Sequence, residues 1–297
     1  MTGTAEFIGF HLAKLLLSEG HRVHGYDGLT DYYDVNLKRR RHAMLKDDSN
    51  FTATAAMLED QACFDQVADD FEPDIIIHLA AQAGVRYSLE NPRAYLDANI
   101  IGTFTVMEAA RRLGVRHVLM ASTSSVYGGN TEMPFTETEK ADTQLTIYAA
   151  TKKACESMGH AYAHLWNLPT TMFRFFTVYG PWGRPDLALY KFVDAVPARP
   201  ASKSEIFPGD SLSPVAPFRV VNIGNSDKVR LLDFIEAIED CLGVKAVRNY
   251  MPMQVGDVPA TWADTSLLEH LTGYRPQSNF REGIAHFVTW FREYSGR

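Results

Sequence analysis

A doubly wound α/β fold built on a parallel sheet is the class that the sequence predicts, and two observations predict it. Two short continuous apolar runs, Asp74-Ile-Ile-Ile-His-Leu79 and Arg116-His-Val-Leu-Met-Ala121, have the length and composition of central strands covered on both faces. Longer segments with helical periodicity lie between and around them, so strands and helices alternate. With 297 residues, 46% of them hydrophobic, the chain can build a large core or two domains sharing a cleft.

At the start, Thr2-Gly3-Thr4-Ala5-Glu6-Phe7-Ile8-Gly9 leads into an amphipathic pattern at Phe7, Leu12, Leu15 and Leu16 that stops at Gly20. The strand-like Arg22-Val-His-Gly-Tyr26 follows and runs into Asp27. A glycine turn, a helix, a strand and an acid in this order form a dinucleotide-binding arrangement. Helix amides meet a pyrophosphate and the carboxylate meets a ribose diol, which favours NAD over NADP. Two features depart from that pattern: the strand expected before the glycines is missing, and Glu6 fills the middle glycine slot. Glu6 brings a Cβ and a negative charge towards the pyrophosphate. A repulsion of about 1–2 kcal/mol would follow, so Glu6→Gly is expected to tighten NAD binding about tenfold. An ordinary loop into a helix remains the alternative reading.

Ala80-Ala-Gln-Ala-Gly-Val-Arg86 continues from the first apolar run. Small residues beyond the carboxyl end of a strand let a ligand approach, and Arg86 is placed either to meet an anion or to form a surface salt bridge. Asn91-Pro92 opens a helical stretch through Asn99, Val106 and Ala110 to Leu113, closed by Gly114. The second apolar run ends in Ser122-Thr-Ser-Ser-Val-Tyr-Gly128, whose hydroxyls would point into the same crevice.

Tyr148-Ala-Ala-Thr-Lys152 places a tyrosine and a lysine one turn apart on one helix face, with Thr146 as the cap and an apolar stripe through Ala154, Met158 and Leu165. A tyrosine ionises near pH 10, and an ammonium a few ångströms away lowers that value, so Lys152 would make Tyr148 a usable base. Alone, this spacing is a weak motif and reads better as a surface tyrosine beside a solvated lysine. Its place downstream of the hydroxyl-rich turn favours the chemical reading. Farther on, Thr170 to Thr177 is a β-branched and aromatic strand, and Val178-Tyr-Gly-Pro-Trp-Gly-Arg184 is a loop with a cation. Arg219 to Gly224 reads as a strand, Leu231 to Leu242 as a helix closed by Gly243, and the stretch from about Phe280 to Phe291 as a last helix.

A net charge of −7 argues against a general nucleic-acid binder, and no DNA or RNA partner is expected. Three widely spaced cysteines, Cys63, Cys155 and Cys241, fit neither a disulfide framework nor a metal site and read as buried free thiols of a cytoplasmic protein. His160 and His164 share a helix face but have no third ligand, so no metal is expected. Neither a signal peptide nor a membrane span is recognised.

These stretches together resemble the extended short-chain dehydrogenases of the NAD-dependent epimerase/dehydratase type, and among them the bacterial UDP-glucuronate 4-epimerases. The likeness covers nearly the whole chain. It rests on Asp31-Tyr-Tyr-Asp-Val-Asn-Leu-Lys38, His78 to Ser88, Ser122 to Gly128, Tyr148 to Lys152, Arg174 to Arg184, and Met251-Pro-Met-Gln-Val-Gly-Asp257. The resemblance implies a Rossmann-like NAD domain over residues 1–176 and a smaller α/β domain over 177–297, mainly for substrate. It implies Tyr148 as the base, Lys152 as the group that tunes it and holds the nicotinamide ribose, and Thr123 as the partner of the reacting hydroxyl. Gly3, Phe7, Ile8, Gly9, Asp27, Leu58, Leu79, Ala80, Ala81, Gln82, Asn99 and Ser122 would join Tyr148 and Lys152 at NAD. Arg86, Ser88, Thr123, Thr177 and Arg184 would face a UDP-sugar. It also implies a homodimer paired through the helices that hold Asn99 and Tyr148.

Related dehydratases and decarboxylases resemble Thr-Asp-Glu-Val-Tyr-Gly or Thr-Ser-Glu-Val-Tyr-Gly where this chain has Thr123-Ser-Ser-Val-Tyr-Gly128. Without a carboxylate at Ser124 or Ser125, simple 4-epimerisation is favoured. The likeness of Thr177 and Arg184 to residues that meet a carboxylate favours UDP-glucuronate, giving UDP-galacturonate. A further departure is that Ala195 runs directly into Val196-Pro197, whereas relatives insert about thirty residues, the size of one strand–helix unit. Either the protein lacks that unit or the chain is broken there, which a Cα separation between Ala195 and Val196 well beyond ~3.8 Å would mark. With Glu6, this leaves a degenerate, non-catalytic nucleotide-binding protein as the rival of different class.

Overall fold

The computed structural model describes residues 1–180, 182, 208–225, 228–250, 252 and 260–295. Its sheet is parallel throughout. The strands are β1 (Val23–Asp27), β2 (Phe51–Ala55), β3 (Ile75–His78), β4 (His117–Thr123), β5 (Thr170–Phe175) and β6 (Phe218–Ile223), with β1 paired to β2 and the other four in the order β3-β4-β5-β6. The strand expected ahead of the glycines is present as a single residue. Thr2 forms parallel bridges to both Tyr26 and His78, and Thr2 N donates to Ile77 O at 2.9 Å while Gly3 N donates to Tyr26 O at 2.9 Å. Residues 1–3 therefore stitch β1 to β3, so that β2-β1 and β3-β4-β5-β6 form one continuous layer.

Alternation along the strands explains why helices cover both faces. Leu119, Phe173 and Val221 point to one side, where α1 (Phe7–Ser18) contributes Phe10, Leu12, Ala13, Leu16 and Leu17, and α2 (Val35–Lys46) contributes Leu45. Val118, Met120, Met172 and Val220 point to the other, against α3 (Gln61–Phe71), α6 (Gly102–Leu113) and α7 (Ile147–Trp166). The short helices α4 (Tyr87–Glu90) and α5 (Pro92–Tyr95) precede α6. The predicted helix from Pro92 to Leu113 is not uniform, because Leu96–Ile101 is π-helical. Such a widened turn re-aims side chains, and here it holds Asn99.

Farther along the chain, α8 (Leu231–Leu242), α9 (Ser266–Thr272) and α10 (Phe280–Ser295) complete the described fold. Ala237 of α8 meets Ile284 and Val288 of α10 in a small separate core with Tyr179 and Phe234. Residues beyond 176 also enter the main layer, since β6 is its edge strand and Leu267 and Leu268 of α9 join the first core. Of the cysteines, only Cys155 is fully buried; Cys63 and Cys241 are half-buried, so the expectation of three buried thiols holds for one. Both histidines of the suspected pair face neutral oxygens: His160 Nε2 lies 2.9 Å from Ser213 Oγ and His164 Nδ1 2.9 Å from Val215 O.

One buried acid lies where the C-terminal half closes on the sheet. Glu137 accepts from Asn222 N at 2.7 Å, and burial pushes its carboxyl up from 4.5 to about 7. A carboxyl raised in the folded state stays protonated there while the unfolded chain ionises, so its stability contribution falls as pH rises from about 4.5 through about 7. At 1.36 kcal/mol per unit, the loss is about 3 kcal/mol. Glu137→Gln keeps the acceptor for Asn222 N, and denaturation of wild type against the variant is expected to show that difference growing between pH 4.5 and 8. A pH-independent difference would sink the assignment.

Candidate active site

The glycine turn is shaped by close approach. Gly3 has φ +77°, and a Cβ there would lie 2.7 Å from Ala80 N; a Cβ on Gly9 would lie 1.9 Å from Gly3 O. No side chain fits between the turn and the first turn of α1, so the amides at the α1 N-terminus stand at the carboxyl end of the sheet, as an anion-binding turn requires. Gly9→Ala must open the turn and is expected to destabilise the protein by about 1–3 kcal/mol or more, read as a lowered melting temperature.

Next to the turn lies a cavity of about 340 Å³, lined by Glu6, Asp27, Gly28, Thr30, Tyr32, Met57, Leu58, Ala80, Ala81, Gln82 and their neighbours. Asp27 sits at its wall, 5% exposed, with Oδ2 accepting from Ala5 N and Oδ1 from Leu29 N, each at 2.9 Å. Burial raises its carboxyl above the ordinary value, and the two amides oppose this. The glycine turn, the helix N-terminus and a carboxylate held at the end of β1 fit a dinucleotide with a free ribose diol.

Glu6 departs from the expected picture of an uncompensated charge over the turn. Its Oε1 is 2.9 Å from Lys38 Nζ, and its Oε2 accepts the Tyr33 hydroxyl. Although it stands at the N-cap position of α1, its side chain makes no cap hydrogen bond and turns instead towards α2. The simple repulsion behind the tenfold expectation is thus offset by an ion pair.

Across the sheet, the Tyr148 hydroxyl comes within electrostatic reach of Thr123, bringing the end of β4 to the start of α7. Thr123 Oγ1 also accepts from Ser125 N at 3.2 Å, which fixes the turn after β4. Tyr148 packs edge-on against Tyr95 with centroids 6.0 Å apart. Burial pushes the Tyr148 hydroxyl up, Thr123 opposing it, and burial pushes the Lys152 ammonium down. Both groups are desolvated, and desolvation disfavours each charged form, which opposes the phenolate that the Tyr148–Lys152 spacing predicts. Beneath Lys152, His78 bridges Thr2 Oγ1 at 2.8 Å and Thr103 Oγ1 at 3.1 Å; burial and then the Lys152 charge lower it to about 3, so it is neutral.

A buried ion pair ties this end of the sheet together. Glu156, one turn beyond Lys152, accepts from Ser122 Oγ at 2.7 Å, from Arg174 Nε at 2.8 Å and Nη2 at 2.9 Å, and from Lys153 Nζ at 3.1 Å. Burial alone raises its carboxyl, but Arg174, Lys153 and Ser122 together outweigh that and hold it below the ordinary value. Ser122 consequently points at Glu156, whereas the sequence placed its hydroxyl in the same crevice as Tyr148.

A model of the NAD-dependent epimerase/dehydratase family matches residues 1–221. The chain belongs to that family. It is 50% identical to a probable UDP-glucuronate 4-epimerase of Rhizobium meliloti, over 98% of this chain and 96% of the relative. It is 37% identical to a UDP-glucuronate 4-epimerase of Thermodesulfobacterium geofontis, over 99% and 95%. Among solved structures, the UDP-glucuronic acid 4-epimerase of Bacillus cereus, in complex with UDP-glucuronic acid and NAD, matches with a TM-score of 0.81 and 26% identity, over 99% of this chain and 98% of that one.

Within this family fold, Asp27, Leu58, Ala80, Ala81 and Gln82 line the cavity as expected positions would, while Gly3, Phe7, Ile8, Gly9 and Leu79 form the turn, helix start and strand end behind it. Asn99 clamps the loop: its Oδ1 accepts from Gln82 N at 2.9 Å, and its Nδ2 donates to Gln82 O at 3.1 Å and Thr151 Oγ1 at 3.0 Å. Arg86 is exposed at the start of α4, Ser88 is fully buried and donates to Val85 O at 2.6 Å, and Thr177 is exposed after β5. Arg184 and the Ala195–Val196 junction lie outside the described residues. Sequence reasoning missed Glu156 and Arg174, and it gave no role to Tyr33 and Lys38. The last two sit in the Asp31–Lys38 stretch that carries the family likeness, which was their only signal.

Proposed function

We propose that this chain is an NAD-dependent 4-epimerase of UDP-glucuronate, forming UDP-galacturonate. The observation that carries the reading is the convergence of Tyr148 and Thr123 at the carboxyl end of the sheet, with Lys152 one helical turn from Tyr148 and the cavity walled by Asp27 at the strand ends next to the glycine turn. Thr123 orients the C4 hydroxyl, and Tyr148 Oη takes its proton and later returns one. NAD, when bound, supplies the acceptor and donor of the hydride at C4. Lys152 holds the nicotinamide ribose, Asp27 the adenosine ribose, and the amides of the Gly3–Gly9 turn the pyrophosphate. Ser124 and Ser125 provide no carboxylate for elimination, so the 4-keto sugar is released to neither dehydration nor further proton abstraction and returns to a hydroxyl with C4 inverted.

Residues 1–176 carry the cofactor and 177–297 mainly the substrate, whose acid group meets Thr177 and Arg184 while Arg86 and Ser88 flank the sugar nucleotide. Pairing of two chains through α6 and α7 is supported by exposed Leu96, Ile101 and Phe104 near one helix and Leu165 and Trp166 on the other. No described helix is long and apolar enough to cross a membrane; free thiols suit a cytoplasmic site of action. The test is incubation with NAD and UDP-glucuronate followed by NMR of the sugar. Appearance of the galacto-configured product supports the reading, and an unchanged sugar under conditions where NAD binds would overturn it.

A further inference from the structure

Four charged groups meet between the glycine turn and α2. Lys38, 1% exposed, places Nζ 2.9 Å from Glu6 Oε1 and 3.1 Å from Thr30 Oγ1, with its ammonium 4.2 Å from the centre of the Tyr33 ring. Arg41 donates from Nη1 to Ala5 O and to the Tyr33 hydroxyl, each at 2.9 Å, and its buried Nε has no hydrogen-bond partner among the described residues. The Tyr33 hydroxyl in turn reaches Glu6. Asp27, Gly28, Thr30 and Glu6 all line the same cavity wall. The two acids, Asp27 and Glu6, balance the two cations, Lys38 and Arg41. Without the Glu6 charge the wall would carry one net positive charge beside the ribose position. Burial is the largest influence raising the Asp27 carboxyl, but the Glu6 charge adds to it and the Lys38 charge opposes it, so these groups lie within electrostatic reach of one another.

We propose that Glu6 sets the selectivity of this pocket for a dinucleotide that lacks a 2′-phosphate: it holds Lys38 in an ion pair and so withholds that cation from the phosphate. This inference rests on the reading of Asp27 as the ribose partner. A 2′-phosphate brings about 1.5–2 negative charges, which an uncompensated Lys38 at the Thr30 hydroxyl would attract and the Glu6 carboxylate repels. A dinucleotide with a free diol carries no charge at that position and is much less sensitive to the exchange. The middle slot of the turn, where a glycine would leave Lys38 unpaired, is thus a specificity position in this chain.

The test is calorimetric titration of wild type, E6Q and the double variant E6Q/K38M with NAD and with NADP, a readout that needs no turnover. E6Q is expected to lower the NAD-to-NADP affinity ratio about tenfold, less at high salt, because one charge near the phosphate is removed. Adding K38M is expected to restore the ratio. E6G removes the same charge and rebuilds the glycine turn, and it gives the same measurement should E6Q fold poorly. A ratio in both single variants within about twofold of wild type overturns the proposal, as does a gain that survives loss of Lys38. NAD binding by wild type with an unmoved ratio sinks only this inference, whereas binding of neither dinucleotide by wild type sinks the cofactor reading with it.

Discussion

Tyr148→Phe is expected to leave NAD binding within about twofold of wild type and to lower turnover by about 10³-fold or more, since a positioned acid–base group contributes roughly 10²–10⁴-fold. The ring remains, so the edge-on packing against Tyr95 at 6.0 Å persists and the fold is not perturbed. What is lost is the oxygen within electrostatic reach of Thr123. Calorimetry with NAD and a turnover assay on the same preparation separate the two effects. Wild-type turnover in the variant would mean that another group moves the proton. Because burial holds the hydroxyl above its ordinary value, wild-type turnover is also expected to rise with pH through the neutral range, as more phenolate forms.

Glu156→Ala is expected to be the most destabilising single change at this end of the sheet. Glu156 and Arg174 are each almost fully buried, at 3% and 2% exposure, and joined by two hydrogen bonds. Removing one partner of such a pair leaves the other charge buried and uncompensated, at a cost of about 3–5 kcal/mol. Arg174 Nη1 already has no hydrogen-bond partner among the described residues, so the guanidinium has little to fall back on beyond the face of Tyr127, 4.7 Å away. The double variant Glu156→Leu/Arg174→Met, which removes both charges and fills the volume, is expected to recover most of the loss. Chemical denaturation of the three proteins checks this, and equal stability of Glu156→Ala and wild type would show that the pair contributes nothing.

The glycine turn, the strands and the Tyr148–Lys152 spacing were legible because each is a short-range pattern. Ile75–His78 and His117–Thr123 stand out as apolar runs without reference to any partner, and residues four apart on a helix share a face wherever the helix lies. Boundaries were less legible: Ser122 and Thr123 belong to β4 and not to the turn after it, and a π-helical turn interrupts the helix at Asn99. Both follow from hydrogen bonds to distant chain, Ser122 to Glu156 and Asn99 to Gln82 and Thr151.

By itself the sequence determined the alternation of buried strands and amphipathic helices, the order glycine turn, helix, strand, Asp27, and the placing of Tyr148 and Lys152 on one face. Hydrophobic periodicity and helical geometry act over a few residues, and they suffice for these. Only the tertiary structure decided that Thr2 stitches the two halves of the sheet, that Glu6 pairs with Lys38 instead of standing unpaired over the turn, and that burial pushes the Tyr148 hydroxyl up. Each depends on which groups from remote parts of the chain are brought together and how much water is excluded around them, and charge and desolvation energies are set by that surrounding rather than by neighbours in sequence.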